Sequence, residues 1–71
     1  MKVKYKDFTL EAHKEKCLGG WNTIYYSAVR DSDGWFLDDG FSDSDDTLKT
    51  IINGEKITVD DYYENPSDYE S

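Results

Sequence analysis

The chain has 71 residues, of which 37% are hydrophobic, 15% aromatic and 34% charged, with a formal net charge of −8 at neutral pH. This length fits one thin-cored domain, and the ring content sets it apart from a disordered acidic tail. The single cysteine, Cys17, excludes an internal disulfide and a paired-thiolate metal site, and no apolar stretch approaches the length of a bilayer span.

The segment Val3 to about Glu15 alternates as Val3, Tyr5, then Phe8, Leu10, Ala12. It reads as one strand with a bulge where the phase slips at Lys6-Asp7, since an extra residue swaps the two faces. A short helix over Thr9–Leu18, closed by Gly19, is the competing reading. Gly19-Gly20 then makes a turn, and Trp21–Arg30 reads as the clearest strand, dense in Thr23, Ile24, Tyr25, Tyr26 and Val29. Asp31-Ser32-Asp33-Gly34 signals a hairpin into a third strand, Trp35–Phe41, with Trp35, Leu37 and Phe41 sharing a face.

Ser42 or Asp43 then offers an N-cap, with Asp43, Asp45 and Asp46 at the positive end of a helix whose apolar stripe is Leu48, Ile51 and Ile52. Asn53-Gly54 is expected to end this helix or, alternatively, to turn a hairpin between Thr50–Ile52 and Lys56–Val59. Thr58, with Asp61 three residues on and an Ile57/Tyr62 staple, predicts a second helix that Asn65-Pro66 ends. The expected fold class is therefore α+β: a three-stranded antiparallel β-meander followed by one or two short helices packed on one face. The domain is expected over residues 1–66, with a flexible acidic tail at 67–71.

Charge is the most informative property. Residues 1–30 hold six basic side chains against three acids, whereas residues 31–71 hold two against thirteen. Such a surface repels phosphate backbones, so direct nucleic-acid binding is disfavoured and a basic protein, of the kind that handles nucleic acid, is the expected partner. Carboxylates on neighbouring helix turns or alternate strand positions lie about 5–7 Å apart and are suited to replacing phosphates. The expected partner-binding residues are Asp38, Asp39, Asp43, Asp45, Asp46, Asp60 and Asp61, around an aromatic anchor of Tyr25 and Phe36. These two rings are chosen because a meander has two faces and the helices cover only one. Trp21, Tyr26, Trp35 and Phe41 are expected to be buried or half-buried. Homodimerisation through an open strand edge is a further expectation.

No cofactor, metal or catalytic residue is expected. His13 has no evident orienting partner, and general-base chemistry requires one. Neither Asp31-Ser32-Asp33-Gly34 nor Asp43-Ser44-Asp45-Asp46 fits a calcium loop: the sixth positions are Phe36 and Leu48 where glycine is required, and no Glu stands twelfth. Turn formation and capping account for both. The basic start, Met1–Asp7, lacks an apolar region behind it, so a cytoplasmic, non-membrane protein is expected.

Asp33-Gly34-Trp35, Gly40-Phe41-Ser42 and Asp46-Thr47-Leu48 together resemble the β-β-β-α unit of HicB antitoxins over about residues 21–52, without a DNA-binding extension. In size, acidity and ring content the chain is also similar to the anti-CRISPR and DNA-mimic inhibitors of phages and mobile elements. These likenesses imply a non-enzymatic inhibitor that occupies a partner's basic nucleic-acid-binding surface, or alternatively an antitoxin-like, dimerising interaction module without mimicry.

Overall fold

The first segment folds back on itself. Lys2–Tyr5 (β1) and Phe8–Lys16 (β2) form an antiparallel hairpin closed by the pair Tyr5↔Phe8. The phase slip at Lys6-Asp7 is thus a two-residue reverse turn and not a bulge, with Lys6 at φ 55°. The hairpin sets Val3 opposite Leu10 and Tyr5 opposite Phe8, so two short apolar rows reinforce one face. The sheet consequently has four strands where three were expected, and Thr9–Lys16 is strand, not helix. The structure, a computed structural model, describes residues 1–16, 18–43 and 47–69.

Asn22–Arg30 (β3) pairs with β2 along its whole length, from Phe8↔Arg30 to Lys16↔Asn22. Residues 31–34 make the expected turn: Gly34, at φ 74°, donates its N–H to the Arg30 carbonyl at 2.8 Å. Phe36–Asp43 (β4) then pairs with β3, giving an antiparallel meander in the order β1-β2-β3-β4.

One irregularity decides which way β4 presents its side chains. Ala28 faces Asp38 but Val29 faces Phe36, leaving Leu37 as the extra residue of a bulge. Trp35 and Leu37 pack against the core, but beyond the bulge the phase is reversed and Phe41 lies 63% exposed on the other face. Trp21 is also 63% exposed, so the expected burial of these two rings is corrected. Tyr26 and Trp35 are half-buried against the core, as expected.

A single 17-residue helix, Leu48–Glu64 (α1), follows where one or two short helices were expected. Its N-cap is Thr47, whose Oγ1 accepts the Thr50 N–H at 3.1 Å; the expected caps Ser42 and Asp43 belong to β4. The helix runs through Asn53-Gly54 because one stripe, Leu48, Ile51, Ile52, Glu55, Val59 and Tyr62, faces the sheet continuously. Burying it outweighs the roughly 1 kcal/mol that an interior glycine costs. Thr58 caps nothing; its hydroxyl donates to the Gly54 carbonyl one turn back. The helix stops at Asn65, ahead of Pro66, as expected. Pro66–Asp68 form a 3-10 turn that runs into the segment expected as a tail, where Tyr69 packs edge-on against Tyr62; residues 70 and 71 lie outside the described residues.

The core lies between sheet and helix: Phe8, Leu10 and Ala12 from β2, Ile24 and Ala28 from β3, and Ile52, Val59 and Tyr62 from α1. With one helix, one sheet face remains open. No helix among the described residues is long and apolar enough to cross a membrane.

Candidate functional site

Strand register divides the side chains cleanly. On the helix side, β4 presents Asp38, Gly40 and Ser42 opposite Ala28, Tyr26 and Ile24. On the open side the rows are Glu11, His13 and Glu15 on β2; Tyr25, Ser27 and Val29 on β3; and Phe36, Asp39 and Phe41 on β4.

The open face carries a line of stacked rings. Tyr25 sits between His13, 5.3 Å away centroid to centroid, and Phe41, 5.5 Å away. His13 Nε2 lies 2.8 Å from Glu15 Oε1, and its Nδ1 3.5 Å from Glu11 Oε2, so acids on its own strand orient the imidazole. Phe36 is 53% exposed at the far end of β4, and Asp39 stands exposed between it and Phe41. Buried Ser27 helps to line a shallow depression of about 310 Å³ together with Lys2, Thr9, Glu11 and Val29.

The helix side of β4 holds a different arrangement. Glu55, on the apolar stripe of α1, is only 4% exposed and its Oε2 has no hydrogen-bond partner. Burial, the negative charge of Asp38 and a hydrogen bond to Asp38 push its carboxyl up to about 8, so at neutral pH Glu55 keeps its proton and donates a hydrogen bond to Asp38. The Tyr26 hydroxyl reaches over Gly40, where a Cβ would stand 2.8 Å from it; burial, then Asp38, Glu55 and Asp39, raise its pKa. Asp38, Asp61 and Asp68 also act together on Tyr69, whose hydroxyl donates to Asp61 at 2.5 Å; that bond is the main cause of its raised pKa.

Three other acids are paired with cations elsewhere. Asp60 points to the opposite flank of the helix, where Lys6 donates to it at 2.5 Å and the Tyr5 hydroxyl at 2.9 Å, which holds its carboxyl below the usual range. Lys4 pairs with Asp31. Arg30 forks onto Asp33 at 2.7 and 3.0 Å, stacks over Trp35, and lowers the Asp33 pKa to about 2.

The expected binding residues are therefore divided among three surfaces. Tyr25, Phe36 and Asp39 share the open face; Asp38 and Asp61 lie together on the helix side near β4; Asp60 stands on the far flank. The Asp43 side chain, Asp45 and Asp46 lie outside the described residues, as does Cys17. Sequence reasoning missed Phe41, Glu11, Glu15 and above all Glu55. The last was signalled by its place between Ile52 and Val59 on the helical stripe. Among the described residues no group of three or more His, Cys, Asp or Glu is placed to hold a metal ion. No protein-family model, curated protein or solved structure matches this chain.

Proposed function

We propose that this domain is a non-enzymatic binding protein, an inhibitor whose open sheet face occupies the basic nucleic-acid-binding surface of a partner protein. The observation that carries this reading is the alternation of ring and acid on that face: Phe36, Asp39 and Phe41 along β4, with Tyr25, His13, Glu11 and Glu15 beside them. Exposed aromatic rings supply contact area and stack on arginine, while carboxylates spaced along a strand take the place of phosphates. Because the acids are distributed over several surfaces, the carboxylates on the open face carry the mimicry here, not one row of all the aspartates.

The test is affinity capture from the native cell with wild-type, Phe36→Ser/Phe41→Ser and Asp39→Asn baits, at low and high salt and with an oligonucleotide competitor. A nucleic-acid-binding protein held by wild type, released by salt and oligonucleotide and lost from the variants, is the expected result. Capture that neither salt, competitor nor the variants diminish rejects the reading.

A further inference from the structure

Strand β4 ends the sheet, with β3 as its one neighbour in the strand order. Its segment Asp38–Asp43 pairs regularly with Thr23–Ala28, the bulge being confined to the Leu37 end, so alternate residues direct N–H and C=O groups away from β3. Natural edges of this kind are commonly guarded by charge, and here the charge has one sign on both faces: Asp39 on the open side and half-exposed Asp38 on the helix side. A second copy of β4 pairing with this one would bring aspartates against aspartates, which cross-strand pairing disfavours. A basic strand meets no such opposition.

A second observation points to the same occupant. Behind Asp38 lies the buried Glu55 oxygen that no group in the described structure satisfies. The groups facing this carboxyl pair are Tyr26 from β3, Asp38 itself from β4 and, beside Asp38, Tyr69 with Asp61 and Asp68 from the end of α1 and the turn after it. All are acids or phenols, so among the described residues none of the groups facing the pair is a cation. An added Lys or Arg at Asp38 would supply one.

We propose that the partner binds by adding an extended basic segment to the β4 edge, with two consecutive basic residues, one directed to Asp39 on the open face and the other to the Asp38–Glu55 pair. This rests on the binding reading above and specifies its mode. The two faces of a strand alternate residue by residue, so adjacent basic side chains reach Asp39 and Asp38 at once. An apolar residue two positions from the first would lie against Phe41. Pairing Asp38 with a cation favours ionised Glu55, so complex formation releases a proton near neutral pH.

The probe is a blocked heptapeptide with two adjacent arginines flanked by threonine and valine, added to the whole chain. Three measurements follow its binding: calorimetry in buffers of different ionisation enthalpy, amide hydrogen exchange, and sedimentation. The expected results are slowed exchange at alternate β4 amides, release approaching one proton per complex at pH 7, and affinity that rises from pH 6 to 8. Asp38→Asn is expected to weaken binding at least tenfold, Glu55→Gln to abolish proton release while the fold persists, and alternate backbone N-methylation of the peptide to abolish binding. Binding that is lost in Phe36→Ser/Phe41→Ser but leaves β4 exchange and protonation unchanged overturns the edge mode and leaves the open-face reading standing. Failure to bind any arginine peptide counts against both, and self-association of the chain through β4 in sedimentation assigns the edge to a second copy and overturns the inference.

Discussion

Replacing Glu55 with Gln tests the buried carboxyl pair directly. Glu55 titrates near 4.5 when unfolded and about 8 when folded, so below pH 4.5 both states hold the proton and its contribution is fully present. Between those values the unfolded chain releases a proton that the folded domain retains, and the contribution is lost as pH rises through about 8. Over roughly three and a half pH units the ceiling is about 5 kcal/mol, and water entering around an ionised Glu55 reduces it to about 2–4 kcal/mol. A domain of this length has about 4–10 kcal/mol in total, so the effect is large. Glutamine keeps the shape and an N–H donor for Asp38 but does not titrate. Urea and thermal unfolding followed by circular dichroism at pH 5, 6, 7 and 8, at constant ionic strength, should show Glu55→Gln gaining on wild type by that amount across the range, about 10 °C or more in Tm. Stability curves that run parallel for the two proteins would refute the shared proton.

Gly54→Ala should stabilise by about 0.5–1 kcal/mol in the same unfolding assay, because Gly54 is inside α1 and no atom outside its own helix stands within 4 Å of the added methyl. Gly40→Ala should destabilise by about 1–3 kcal/mol by driving its Cβ into the Tyr26 hydroxyl, and Tyr26→Phe in the same chain should recover part of the loss; an additive double variant contradicts that contact. Asp33 should stay ionised to near pH 2 in a carboxyl NMR titration, its contribution to stability being present above about 3.8 and lost as pH falls through 2; a midpoint near 3.8 contradicts the Arg30 fork.

What the sequence disclosed follows from where local signals were unambiguous. The β3 strand, the 31–34 turn and the stop at Asn65-Pro66 each rest on residues with one strong local preference. The β1–β2 turn was hidden because Lys6-Asp7 lacks the glycine or asparagine that usually marks two-residue hairpins, and Lys6 adopts positive φ because the flanking apolar pairs hold it there. The unbroken helix was obscured by Asn53-Gly54, whose turn preference yields to an apolar stripe that faces the sheet over about four turns. At the site, counting faces put Tyr25 and Phe36 on the side the helix does not cover, where Phe36 is exposed and Tyr25 half-buried, but the Leu37 bulge moved Phe41 from the core to the open side, and only strand pairing discloses a bulge. Glu55 looked like any other helix acid until its neighbours on the sheet were known.

The stitches between the first hairpin and the last helical turn constrain the order in which the chain can mature. Tyr5 and Lys6 both bind Asp60, and Tyr63 binds Asp7 at 2.8 Å, contacts that span more than fifty residues. During synthesis the opening hairpin therefore emerges long before its anchor exists, and its apolar row stays uncovered until the final turn of the helix has left the ribosome. Partial chains gain little from a half-built lid, so folding should be a single late event with no long-lived half-folded species.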